Sequence, residues 1–232
     1  MLISLYIIIS EKSIVFPFVL FFNIIMLTKI SLNDIILKRS DIMDAITAWD
    51  LSVLHFVENN FQNPFLTFFF KIFTYASEAG IIWIVFALLL LISKKYRKQG
   101  FFAAIALILC LLIVNLTVKN VVARPRPFAI DEFSLLIRRP GEFSFPSGHA
   151  TVSFCGALFL SLTNKKWAVP AYIVAALTAF SRIYFTVHYP TDVFAGMIFG
   201  TTITLIAYFL CKLLEKKTGL FGTRFFNTEK TK

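Results

Sequence analysis

The sequence predicts an all-α fold, a polytopic bundle of membrane-spanning helices. Composition is the first reason: the 232 residues are 58% hydrophobic and only 16% charged, less polar surface than a soluble domain of this length needs. The second is the recurrence of charge-free apolar runs such as Phe101–Val118 and Val193–Cys211, each long enough to cross a bilayer as a helix. The third is the lack of a closed-barrel pattern. In hydrocarbon only helices and closed barrels satisfy their own backbone polar groups, so these runs are helices.

Residues 1–42 read as an N-terminal hydrophobic extension, with Ile14–Leu27 apolar between Lys12 and Lys29 and interrupted by Pro17. Met43 opens a segment that reads as an alternative start. The expected division is therefore an extension over 1–42, a membrane domain over 43–214 and a basic tail over 215–232. Asp44–Val57 sets Ile46, Trp49, Leu51, Val53, Leu54 and Phe56 among polar residues, the pattern of an amphipathic interfacial helix. Asn59–Pro64 breaks it. About six spans follow. Phe65–Thr74 is Phe-rich but carries Lys71, so it is either a short span or a helix at the surface. Tyr75–Ser93, Phe101–Val118, Ala150–Thr163, Ala168–Val187 and Val193–Leu214 complete the set. Ala150–Thr163 is short and has to begin within Ser147–His149. Cys110, Cys155 and Cys211 lie in apolar runs without metal-ligand spacing and read as small buried apolar residues.

The net charge is +10. In a soluble chain this would raise nucleic-acid binding, but no basic patch interleaved with exposed aromatics lies outside the apolar runs, and no nucleic-acid partner is expected. The basic residues cluster in short connections: Lys94, Lys95, Arg97 and Lys98 in one, Lys165 and Lys166 in another, and Lys212, Lys216, Lys217, Arg224, Lys230 and Lys232 at the end. Alternating spans put all three groups on one face, which the positive-inside rule makes cytoplasmic. The opposite face holds Lys119–His149 and His188–Asp192. It also holds Arg124, Arg126, Arg138 and Arg139, a departure from the charge rule that anion binding explains.

Three clusters on that outer face carry chemistry: Lys119 with Arg126-Pro127, Pro146-Ser147-Gly148-His149, and Ser181-Arg182 with His188 and Asp192. Charged groups in or beside apolar spans are costly and read as functional. Pro125 and Pro127 disfavour helix at Arg124 and Arg126. Lys119, Arg126 and Arg182 thus converge where spans end, and guanidinium and ammonium groups grip phosphate oxygens. Ser147 caps a helix whose N-terminus favours anions, and Gly148 lets a ligand approach the backbone. His188 and Asp192 are four apart, so the carboxylate reaches the near ring nitrogen and frees the other to attack phosphorus. Pro190 opens the next helix and sets their angle. His149, beside the anion-binding turn, protonates the leaving oxygen. Carboxylates other than Asp192 are few in these clusters, so no metal centre and no cofactor are expected.

The spacings Lys-x6-Arg-Pro, Pro-Ser-Gly-His and Ser-Arg-x5-His-x3-Asp resemble the signature of the type 2 phosphatidic acid phosphatase and vanadium haloperoxidase superfamily, in order and in placement between spans. The resemblance covers Lys119–Asp192 directly and about Met43–Leu214 by helical layout. It implies metal-independent phosphoryl transfer, with His188 as nucleophile, His149 as general acid and Asp192 as orienter. Lys119, Arg126, Ser147, Gly148 and Arg182 would then bind phosphate. The implied protein is a multi-pass cell-membrane enzyme with an outward-facing site. Its partners are membrane lipids and a lipid phosphate or diphosphate, foremost undecaprenyl diphosphate, with phosphatidylglycerophosphate or phosphatidate as the alternative. A vanadate-dependent haloperoxidase and a non-enzymatic membrane protein are the other readings. Arg124 reads as either a further phosphate contact or a local ion pair. His55 reads as an interfacial residue, Arg138 and Arg139 as loop charges, and Asp131, Glu132 and Glu142 as surface residues. Tyr184 and Tyr189 read as belt aromatics or substrate contacts.

Overall fold

The computed structural model describes residues 32–218, with side chains over 41–214, so Ile14–Leu27 and the basic residues after Thr218 lie outside the described residues. All regular structure among them is helical. The chain divides into two compact units, Met1–Trp49 and Asp50–Lys232; everything that follows concerns the second.

Helix α1 covers Leu32–Phe61, well beyond the expected Asp44–Val57. Within the second unit it buries Asp50, Leu54 and Val57 and exposes Phe56. An interfacial helix sends its aspartates to water, so the amphipathic reading fails at Asp50. Helix α2, Pro64–Ala76, starts where local chemistry requires it: Asn63 accepts the Leu66 N–H at 2.9 Å, and Pro64 occupies the first helical position. A single 3₁₀ turn, Glu78–Gly80, then redirects the chain through left-handed Ala79 and Gly80 (φ 49° and 74°) into α3, Ile81–Ile92. The two helices meet at a bend of 43°. At 13 and 12 residues, neither reaches the roughly 20 residues of a full span. Phe65–Thr74 is therefore half of a bent pair rather than a span of its own, and the break falls at Ser77. Among the described residues three helices are long and apolar enough to cross a bilayer, or four with the bent pair.

Arg97–Cys110 forms α4, which continues as a π-helical stretch, Leu111–Val118, into the short α5, Lys119–Val122. The widened turns shift the helical phase just before Lys119, which is 4% exposed. Ala123, left-handed at φ 48°, stops the helix. Helix α6, Gly148–Thr163, starts where its shortness demanded. Helix α7, Ala168–Tyr184, ends before the expected Val187, and α8 runs Pro190–Thr218.

Glycines set the closest approaches. A Cβ at Gly200 would lie 2.2 Å from the Thr151 carbonyl oxygen, and one at Gly196 2.6 Å from that of Ser147. Helices α6 and α8 thus touch backbone to backbone along a Gly-x-x-x-Gly stripe. Gly156 on α6 admits the Trp83 ring of α3, whose Nε1–H donates to Ser153 at 3.1 Å. Gly100 on α4 lies against the backbone of Leu90 and Leu91, pinning α3 to α4. The core between these helices is built from Trp83, Phe102, Cys110, Cys155 and Phe159.

Candidate active site

The ends of α2, α5, α6, α7 and α8 bring the three sequence clusters together. Pro190 begins α8, and Asp192 in its first turn accepts the Tyr189 N–H at 3.1 Å, the reach-back half of a capping box. That cap places the carboxylate beside His188: Asp192 Oδ2 lies 3.5 Å from Nδ1, close but short of a good hydrogen bond. The Nε2 atom faces the other way, 3.2 Å from Arg126 Nη1. The His188 backbone N–H donates to the Arg182 carbonyl at 3.3 Å, so the turn after α7 sets where the ring stands. Burial above all, then the cations Arg126, Arg182 and Lys119 and the neighbouring His149, holds the His188 pKa well below the ordinary histidine value. This favours the neutral ring, whose Nε2 lone pair accepts from Arg126.

Around Nε2 stand the groups of an anion cradle. Arg126 is fixed by donating to the Val187 carbonyl at 2.7 Å and to the Glu142 carbonyl at 2.6 Å. Arg182, 3% exposed, donates from Nη1 to Thr74 Oγ at 2.6 Å. Thr74 bonds Ser181, which in turn donates to the Thr178 carbonyl, so a hydroxyl relay orients the guanidinium. Arg182 Nε and His149 Nε2 are buried without a hydrogen-bond partner among the described residues, and a phosphate oxygen would satisfy both. Gly148 keeps Lys119 close: a Cβ there would stand 3.1 Å from Asn115 Oδ1 and 3.8 Å from Lys119 Nζ. Lys119 forms an ion pair with Glu142.

Lys119, Arg126, Gly148, His149, Arg182 and His188 all line one cavity of about 970 Å³. Its polar end is this cradle. Its apolar end runs between α3 and α4 along Ile84, Leu88, Leu107 and Leu111. Ser147 and Asp192 stand behind the wall. Ser147 is fully buried as the cap of α6, its side chain facing the Ala150 N–H and its N–H donating to the Asp192 carbonyl at 3.0 Å. His149 lies 3.8 Å from Glu78, which the turn after α2 supplies.

A PAP2 superfamily model matches residues 99–212, which include all eight residues singled out from the sequence. The undecaprenyl-diphosphatase BcrC of Bacillus subtilis is 30% identical over 148 residues, 62% of this chain and 76% of that protein. The chain belongs to the PAP2 superfamily. An undecaprenyl-diphosphatase of Sulfolobus acidocaldarius is 38% identical over 128 residues, 54% of this chain; the match spans 62% of that relative's length. The crystal structure of a transmembrane PAP2 type phosphatidylglycerolphosphate phosphatase from Bacillus subtilis superposes with a TM-score of 0.59 at 25% identity, covering 76% of this chain and 89% of that one. These PAP2 relatives are phosphatases, and the enzyme class of the chain is phosphoric ester hydrolase.

Four residues at the PAP2 site were not foreseen. Glu142 is no idle surface residue, since it pairs with Lys119 and lines the cavity. Thr74 and Glu78 come from the bend between α2 and α3. Asp50 is wholly buried against the start of α8, accepting the Thr191 N–H at 3.0 Å. Of the two readings of Arg124, the structure shows the local one: it bridges Asp50 at 2.8 Å and Asp192 at 2.7 Å. His55 pairs with Asp131 at 2.9 Å and stacks on Phe133, a contact away from the cavity.

Proposed function

We propose that the protein is an integral membrane lipid phosphate and diphosphate phosphatase that works through a phosphohistidine, with its site on the extracytoplasmic face and undecaprenyl diphosphate as substrate. The observation that carries the reading is the placement of the His188 ring: Nε2 turned to Arg126 at 3.2 Å, Nδ1 turned to Asp192, and His149, Lys119 and Arg182 around the same cavity. The His188 lone pair forms a bond to the terminal phosphorus while the bridging oxygen departs with the electron pair of its P–O bond. His149 in its protonated form gives that oxygen a proton. Arg126, Arg182 and Lys119 stabilise the charge on the equatorial oxygens. Water, activated by the now neutral His149, then breaks the N–P bond and restores His188.

The apolar trough between α3 and α4 suits a hydrocarbon tail leading from bilayer to cradle. Arg138 and Arg139 line the same cavity and supply further cations for a second phosphate, which supports a diphosphate. Basic connections at Lys94–Lys98 and Lys165–Lys166 support the outward orientation. Phosphatidylglycerophosphate is the second reading, favoured by the likeness to the Bacillus subtilis phosphatase at a TM-score of 0.59.

The test is phosphate release by purified protein in detergent from undecaprenyl diphosphate, phosphatidylglycerophosphate, phosphatidate and a soluble phosphate ester. The isoprenyl diphosphate is expected to turn over fastest, and equal rates on the soluble ester would refute lipid selectivity. His188→Ala is expected to abolish turnover and the acid-labile phosphoenzyme while the protein still inserts. Retained turnover would refute the phosphohistidine.

A further inference from the structure

Asp50 shares no sequence motif with the site, yet it is buried at 0% exposure beside it. Its carboxylate accepts from Arg124 Nη2 at 2.8 Å and from the Thr191 N–H at 3.0 Å, and it bonds the Thr191 hydroxyl as well. Arg124 Nη1 donates onward to Asp192 Oδ1 at 2.7 Å and to Thr191 Oγ at 2.8 Å. The guanidinium lies over the Tyr189 ring, 3.8 Å from its centroid. Asp192 is completed by Ser144 Oγ–H and the Tyr189 N–H. Two buried carboxylates therefore share one arginine, directly behind the ring that the proposed function makes the nucleophile.

The charge count gives this arrangement a purpose. Forming a bond from Nε2 to phosphorus leaves the imidazole ring cationic, and Asp192 is the anion placed to stabilise it. An arginine paired with Asp192 alone would cancel that anion. A second carboxylate on the same arginine leaves the trio with one net negative charge. We infer that Asp50 is a positioning and charge-balancing residue for phosphoryl transfer, holding Arg124 so that Asp192 keeps both its place and its charge toward His188. The inference rests on His188 being the nucleophile.

The groups facing His188 are Arg126 from the segment after α5, Lys119 from α5, His149 from α6, Arg182 from α7 and Asp192 from α8. Asp50 acts on the ring through Asp192, at one remove. The experiment compares the whole protein in detergent with Asp50→Asn, which keeps shape and removes charge, by rapid-quench measurement of the acid-labile phosphoenzyme on the preferred lipid. Phosphoenzyme formation is expected to slow about tenfold, the effect of one charge-assisted interaction lost from the transition state. KM is expected to hold, and the acid limb of kcat/KM to move to lower pH because less negative charge supports the protonated ring. In an Asp192→Asn background the same change is expected to cost nothing further. An equal loss in both backgrounds, or an unshifted acid limb with unchanged phosphoenzyme formation, overturns the inference. Absence of any phosphoenzyme in the unaltered protein overturns the proposed function instead. If Asp50→Asn does not fold, Thr191→Val removes the hydroxyl shared by Asp50 and Arg124. It is expected to lower kcat in the same direction without raising KM, and an unchanged kcat overturns the inference.

Discussion

Glu142 holds the ammonium that the proposed mechanism assigns to the substrate phosphate. Its carboxylate is paired with Lys119, whose side chain is 5% exposed, while Glu142 itself is 65% exposed. The pairing holds the Glu142 carboxyl below its ordinary pKa, chiefly through the Lys119 hydrogen bond, so the contact persists at neutral and mildly acid pH. A phosphate at Lys119 competes with Glu142 for the same ammonium. A charge-assisted bond to a buried group contributes about 1.5–3 kcal/mol, and an exposed pair about 0–1 kcal/mol. With one partner buried and the other largely in water, about 1 kcal/mol is the working figure, which is about fivefold in an equilibrium constant. Glu142→Gln keeps the backbone carbonyl that Arg126 Nε binds and removes only the competing charge. KM for the lipid and the inhibition constant for inorganic phosphate are both expected to fall about fivefold, with kcat little changed. The assay is steady-state hydrolysis in detergent at low ionic strength, with phosphate as competitive inhibitor. Unchanged or weaker phosphate binding would refute the view that Glu142 competes with substrate.

Two further outcomes follow from the geometry. The proposed mechanism needs a neutral His188, and its pKa is lowered by burial and surrounding cations, so kcat/KM measured from about pH 4 to 9 is expected to rise along an acid limb centred below the ordinary histidine value of about 6.5. A midpoint at or above that value would contradict the described environment. Gly200→Ala places a methyl 2.2 Å from the Thr151 carbonyl oxygen. Overpacking of this kind costs about 2 kcal/mol, or about 4–8 °C in melting temperature for a domain of this size. An unchanged melting temperature in detergent would show that α6 and α8 are not in backbone contact.

The residues of the candidate site could be picked out because anion binding constrains residue type: imidazoles, guanidiniums beside prolines and a capping turn each leave a local mark, and six of the eight line one cavity. Asp192 could be placed from the four-residue spacing because helix geometry and its own cap set the distance. Asp50 left no such mark. Within Asp44–Val57 an aspartate reads as the wet side of an amphipathic helix, and only docking against the start of α8 shows it to be buried. Glu142 sits in a loop whose return to Lys119 depends on contacts across the fold, such as the Ser144 N–H donating to the Arg124 carbonyl at 2.8 Å. The apolar runs located most of the helices. They did not disclose the bend at Ser77, where left-handed Ala79 and Gly80 redirect an otherwise continuous hydrophobic sequence, or the π stretch before Lys119.

The glycine stripe between α6 and α8 reaches beyond stability. His149, the proton donor of the proposed mechanism, rides on the first of these helices and Asp192 on the second, and their backbones come together at Gly196 and Gly200 with only the small Ala150 side chain beside Gly196. In that mechanism acid and orienter sit on two helices in direct backbone contact, and the packing of the pair sets their separation. Helices α3 and α4 are pinned at Gly100, and elsewhere between them Ile84, Leu88 and Leu107 line the cavity instead. Under the proposed function the lipid tail occupies the apolar flank, while the groups that act on its phosphate sit on the closely packed pair.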